Sequence, residues 1–388
     1  MSLLTTSKGY AFTRNPIIIK EAFQDADFDA NGGTVTITRA GDTVFRGRFF
    51  PPLVMDISEI IDAAADYFPE WIPDSSTPLH RLLDAMTLTD RWRFYVEAEY
   101  DRIAHEASLI AVPGGVSKRT FKAYRDSDAF AHRFLNKVQN FFLTTRTTAR
   151  RLILKETELA PLYFITDVST RIDIVDAASG KALEFPELLP GLWALDPEAL
   201  RSQFLEKFDV IPAVLEIHRD YIPAVTLVIE MALPSHRRHR LKFRNSLGVF
   251  EVVEVPGELS FSYADSDSDS GEFSRFDEDY FDFYLSRGPV KHRQSATLST
   301  GVKRPDEILF VLDMAASDEV YLLDATPEPI RVIPSVEEPS YPERAESPQS
   351  LTVKLDFADI DSPVIPVPSV AGQNSNRIFS KQFSKQFN

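Results

Sequence analysis

Carboxylates are the residues of this 388-residue chain best placed by spacing to do chemistry, and they concentrate in one run. Asp265, Asp267 and Asp269 occupy positions one, three and five of an EF-hand-like loop, a spacing that converges alternate oxygens on a hard cation. The match then fails. Ser270 stands at position six where Gly is required, Gly271 comes one residue late, and position twelve is Phe276 instead of Glu. Without flanking helix signals, the stretch from Asp265 to Gly271, continuing to Asp277-Glu278-Asp279, reads as a solvated acidic loop whose calcium candidates are Asp265, Asp267 and Asp269. His236-Arg237-Arg238-His239 places two His at helical spacing, but no third ligand stands at a zinc-like distance and the Arg charges oppose a cation.

The remaining arrangements point away from catalysis. Glu97/Glu99 and Glu156/Glu158 recur at spacing two, which sets both carboxyls on one strand face, whereas glycoside hydrolysis needs two facing across a cleft. Val112-Pro113-Gly114-Gly115-Val116-Ser117-Lys118 lacks the glycine spacing of a P-loop, and no Gly-x-Ser-x-Gly elbow occurs. Trp92, Phe94 and Tyr100 are evenly spaced, as expected for the inward face of a strand. These readings lead to the expectation of a non-enzymatic chain with no catalytic residues, no cofactor and no established metal ligands.

Binding has a clearer signature. The stretch from Ile378 to Asn388 repeats Phe-Ser-Lys-Gln twice and closes on Phe-Asn. Spacing by four puts Phe379, Phe383 and Phe387 on one side of a helix, and equally on one face of a strand. So short a segment cannot bury three rings by itself, so these are the expected partner-binding residues of a docking segment. Lys381 and Lys385 suit an acidic neighbour such as another copy of the chain.

Composition sets the outer bounds. With 44% hydrophobic and 11% aromatic residues, 29 of them Phe, the chain has the material for two or three globular domains. A net charge of −16 and a pI near 5.0 argue against nucleic acid or an anionic membrane as the main partner. Zero Cys removes disulfides, thiolate zinc sites and Cys nucleophiles together. Met1 to Phe12 lacks the charged and apolar regions of a signal peptide, and no apolar run approaches 18 residues, so cytoplasmic folding without membrane insertion is expected.

The elements follow from periodicity. Thr34 to Arg39 and Thr43 to Phe49 alternate about Gly41-Asp42 as a hairpin, and a helix is expected from Asp56, with Glu59 as capping-box partner, to Phe68. Strands are expected over 92–100, 108–112, 141–145, 151–155 and 162–165. The plan then repeats: a hairpin over 170–185, a strand at 193–195, and a helix from Asp196, with Pro197 at its first position, to Phe208. Both helix ends lie 140 residues beyond their counterparts, which suggests a tandem duplication. Strands follow at 214–218, 225–231, 241–244, 250–255, 308–312, 320–323, 330–333 and 351–357.

Asn15-Pro16-Ile17, Gly47-Arg48-Phe49-Phe50-Pro51-Pro52-Leu53, Asn140-Phe141-Phe142-Leu143-Thr144-Thr145-Arg146, Arg244-Asn245-Ser246-Leu247-Gly248-Val249 and the closing Phe-Ser-Lys-Gln-Phe-Asn resemble structural proteins of phages and prophages of Bacteroidetes bacteria. The resemblance implies a component of a virion, tail, baseplate or related particle assembled in the bacterial cytoplasm, with no catalytic residues to carry over. Its partners would be other copies of itself and other particle proteins, with no nucleic acid.

The expected fold is mainly β: two tandem β-sandwich-like domains over 1–166 and 167–362, each with a short helix, the second carrying an acidic loop at 265–282. Residues 363–388 form a linker and docking tail. The alternative is an adhesin-like or glycan-binding module that uses the acidic loop with calcium.

Overall fold

Alternation in the first hairpin has its expected consequence. Strands Gly33–Arg39 and Asp42–Phe49 pair with Ile37 opposite Phe45, and Ala40 and Gly41, both at positive φ, close the tight turn. The computed structural model describes residues 9–23, 32–73, 77–123, 130–138, 140–146, 150–231, 238–265, 272–287, 292–301, 303–325, 328–336 and 350–361. The chain is mainly β. Its larger compact unit holds Met1–Ala232, Lys242–Val253 and Asp306–Ser317; the smaller holds Leu233–Leu241, Glu254–Pro305 and Asp318–Asn388. Position 166 lies inside the larger unit.

Within the larger unit the hairpin belongs to a five-stranded sheet. Its spatial order is Asp42–Phe49, Gly33–Arg39, Arg93–Tyr100, Ile103–Val112 and Tyr10–Phe12, antiparallel except for the last pair. The inward residues Val35, Ile37, Phe94, Val96 and Leu109 are buried beneath a two-stranded ribbon, Ile18–Glu21 with Leu53–Asp56, and beneath helix Ser58–Ala64. Strand periodicity therefore selects one apolar face, and the ribbon and helix remove it from water.

A second five-stranded sheet has the same plan. Its spatial order is Ala182–Glu184, Ile172–Asp176, Val214–Arg219, Ile222–Glu230 and Arg151–Lys155, again antiparallel except for the last pair. It too is covered by a ribbon, Leu162–Thr166 with Gly191–Leu195, and by a helix, Pro197–Phe208. The pairings correspond. Val35 faces Ala98 and Ile37 faces Val96 in the first sheet; Ile174 faces Ile217 and Asp176 faces Leu215 in the second. Both sheets also turn on two consecutive residues at positive φ, Asp101-Arg102 and Asp220-Tyr221.

The helices differ in length for local reasons. Asp196 caps the second by accepting from the Glu198 N–H at 3.0 Å, and Lys181 Nζ donates to the Phe208 carbonyl at 2.9 Å near its end. Asp56 accepts from the N–H groups of Ser58 and Ile17, but the helix that follows stops at Ala64, short of the expected Phe68. Arg39 hydrogen-bonds the Ala64 carbonyl there, and the chain then extends and buries Phe68 against Trp92, ring centroids 4.8 Å apart.

Between helix Ser58–Ala64 and strand Arg93–Tyr100 lie strand Leu79–Asp84 and helix Ala85–Trp92, which have no counterpart between helix Pro197–Phe208 and strand Val214–Arg219. The strand does not join its own sheet. It pairs with Gly191–Leu195 and makes the second ribbon three-stranded. Gly191 is required at that junction, because a Cβ there would lie 2.3 Å from the Leu83 carbonyl oxygen.

Three local expectations are corrected. Trp92 ends a helix instead of opening a strand. Residues 141–145 form bends, with Phe141 and Phe142 both buried. The stretch 308–312 lies in helix Pro305–Ala315, whose Ile308, Val311 and Met314 are buried at three-residue spacing.

In the smaller unit, strands Val320–Leu322, Ile330–Val336, Thr352–Asp361, His292–Ser299 and Leu259–Asp265 lie side by side in that order. Strands Glu272–Asp277 and Asp282–Arg287 form a separate two-stranded ribbon.

Candidate functional site

Within the larger unit, several buried charged groups form one cluster. Glu251 accepts from Thr144 Oγ1 and from Asn245 Nδ2, each at 2.6 Å. Arg146 Nη1 lies 2.8 Å from Glu158 Oε2, its Nε lies 3.6 Å from Glu251 Oε1, and its guanidinium sits 4.1 Å over the Phe310 ring. Asp313 accepts from Thr145 Oγ1 at 2.7 Å and from the Ser246 N–H at 3.1 Å. Burial pushes the Glu251 carboxyl above its ordinary range, against the pull of Arg146, Thr144 and Asn245. These groups are spent on one another, so the cluster works as a clasp joining the 141–146 bend, the 244–251 turn and helix Pro305–Ala315.

Two further buried cations serve the same end. Arg219 donates through Nη1 to the Phe134 carbonyl at 3.3 Å and lies 5.3 Å over the Phe141 ring; burial pulls its pKa down. Arg244 donates through Nη1 to the Gly248 carbonyl at 3.0 Å, with the rings of Tyr67 and Phe250 within 4.5 Å of its guanidinium.

The outer face of the first sheet carries a shallow hollow of about 450 Å³ lined by Thr36, Thr38, Tyr95, Glu97 and Glu106. Glu97 faces Glu106 across the strands, an exposed like-charge pair.

Phe379, Phe383 and Phe387 lie outside the described residues, as do Asp267 and Asp269. Asp265 ends strand Leu259–Asp265 opposite His292, and Phe276, at the twelfth loop position, lies in strand Glu272–Asp277. The acidic run therefore has strands on both sides, where an EF-hand needs helices. Among the described residues, no three His, Asp or Glu side chains are grouped to hold a metal ion. Phe94 and Tyr100 face the first core as expected. His80 stacks on Trp71 and His105 meets the edge of Phe23; His239 lies in a strand, where burial pulls its pKa down.

The surface that stands out lies just beyond the acidic run, on the ribbon Glu272–Asp277/Asp282–Arg287. Cross-strand pairing sets Phe276 opposite Phe283 and Ser274 opposite Leu285, so these four share one face. Phe281, at φ 55°, closes the turn with its ring 5.5 Å from Phe276. Phe283 is 67% exposed, Leu285 69% and Phe281 85%. The opposite face carries Arg275, Asp277, Asp282 and Tyr284. The expected acidic loop at 265–282 is thus corrected: strand Glu272–Asp277 lies within it, and among the described residues the Phe276 and Phe283 face stays exposed. Comparison with known proteins finds no matching family model and no matching curated protein.

Proposed function

We propose that this chain is a non-enzymatic structural component of a phage tail, baseplate or related particle, assembling with copies of itself and with other particle proteins. The observation that carries the reading is the exposed aromatic face of the ribbon at 272–287. Exposed apolar surface of this kind marks places where proteins meet. The buried ionic clasps support the same role, because they spend charged groups on rigidity. The resemblance to phage structural proteins supports the particle context.

The two five-stranded sheets, alike in strand order, pairing and turn, support descent by tandem duplication with the strand and helix at 79–92 as a later insertion. A chain with two like modules suits a particle in which a trimer offers six similar surfaces to a sixfold partner.

Light scattering and negative-stain microscopy of the purified chain test the proposal. Concentration-dependent assembly is expected, and replacing Phe379, Phe383 and Phe387 with Ser is expected to abolish it while far-UV circular dichroism stays unchanged. A parent chain that remains monomeric at high concentration, or a triple variant that assembles normally, would overturn it.

A further inference from the structure

We propose that the aromatic ribbon at 272–287 is the receptor for the segment Arg377–Asn388 of a second copy of this chain. The inference rests on the assembly reading above and names the surface that accepts the segment.

Three observations converge. First, the ribbon's apolar face, Phe276, Phe281, Phe283 and Leu285, is exposed, and among the described residues its two strands pair only with each other. A third strand laid along either edge would gain main-chain hydrogen bonds and extend the aromatic face. Second, the segment supplies matching groups. Laid out as a strand, it would set Phe379, Phe383 and Phe387 with Lys381 and Lys385 on one face, and Ile378, Asn388 and the Ser and Gln residues on the other. Third, the charges are complementary. Residues 272–287 contain five acids against two arginines, with Asp277, Glu278, Asp279 and Asp282 gathered at the turn. Residues 362–388 contain Arg377, Lys381, Lys385 and no acid at all. A chain of net charge −16 repels its copies, so a locally basic segment meeting a locally acidic surface is where self-association is least opposed.

The test uses two full-length variants, each lacking one half of the contact. One replaces Phe276, Phe283 and Leu285 with Ser; the other replaces Phe379, Phe383 and Phe387 with Ser. Each alone should be monomeric in light scattering with unchanged far-UV circular dichroism, and an equimolar mixture should form a one-to-one complex through the single intact pairing. A synthetic peptide spanning 377–388 should bind the second variant, with affinity falling at least tenfold between 50 mM and 500 mM salt. Asp279→Lys with Asp282→Lys, which spares the apolar face, should weaken that binding by a similar factor.

If the ribbon variant assembles like the parent, the receptor lies elsewhere and only this inference fails. If the variant of the 377–388 segment assembles like the parent, the assembly reading fails as well. If each variant is monomeric but the mixture stays monomeric, the segment does not reach a second copy and the inference is wrong.

Discussion

The two ribbons that cover the five-stranded sheets occupy the same place but live in different surroundings. The first, Ile18–Glu21 with Leu53–Asp56, buries Ile19 and Leu53 against its sheet and leaves Lys20 and Val54 exposed on its outer face. In the second, every residue of Leu162–Thr166 is buried. Leu162 and Phe164 face their own sheet, whereas Tyr163 and Ile165 face a separate core with Phe12, Phe68, Trp92, Phe130 and Phe134 from the first half of the chain. One architecture thus serves as an outer layer in one place and as a middle layer in the other. What sets the layer's composition is what covers it, because each added apolar neighbour removes more area from water.

The sharpest way to break the correspondence is to exchange the residues that precede the matching turns. Tyr100 sits among Phe23 and Phe49, while Arg219 meets the Phe134 carbonyl. Tyr100→Arg is expected to cost about 3–5 kcal/mol in urea unfolding, because it buries a guanidinium in an apolar core. The reciprocal Arg219→Tyr is expected to cost only about 1–3 kcal/mol, mainly for a carbonyl left without its donor. Equal costs would mean that the two positions are not specialised.

The middle-layer character of the second ribbon should appear as a pH dependence. Burial raises the Tyr163 hydroxyl to about 12, against the Trp71 N–H that donates to it at 3.0 Å. A group whose protonated form is held in the folded state contributes fully below the unfolded value of about 10. Stability should therefore fall by on the order of 3 kcal/mol as pH rises from 10 to 12, since each pKa unit is worth about 1.4 kcal/mol. Tyr163→Phe should flatten that fall in unfolding curves recorded across this range.

The smallest effect compares the turns themselves. Arg102 and Tyr221 both hold positive φ, which glycine adopts at lower cost. Arg102→Gly should raise stability by up to about 1 kcal/mol, since left-handed backbone costs a side-chain-bearing residue about 1–2 kcal/mol and glycine's freer unfolded chain offsets part of the relief. Tyr221→Gly should gain less, because the Tyr221 ring lies 4.8 Å from the Arg171 guanidinium and that contact is lost. Thermal melts of the two variants against the parent measure the difference.

Much of the fold was legible where local chemistry decides it. Asp196-Pro197 announces its helix because a carboxylate cap and a proline without an N–H both suit a first turn. The helix Pro305–Ala315 was missed although Pro305, Asp306 and Glu307 carry the same kind of signal. The apolar run at 308–312 is compatible with either state, and periodicity over so short a run does not separate them. Leu79–Asp84 pairs with residues more than a hundred positions away, a choice that no local pattern encodes. The ribbon escapes a sequence reading: 265–282 reads as one acidic loop because its like charges dominate, and Phe273 and Phe276 are spaced by three, so no repeat of two announces strand Glu272–Asp277.

The borrowed strand also has a consequence in time. Leu79–Asp84 leaves the ribosome roughly a hundred residues ahead of Gly191–Leu195, its sole partner strand among the described residues. At about 5–20 residues per second, that interval lasts on the order of 5–20 s. Throughout it the nascent first half carries a strand with both edges open, the condition under which chains pair with the wrong neighbour. Rapid arrival of the second half, and not the intrinsic stability of the first, is then what protects the newborn chain.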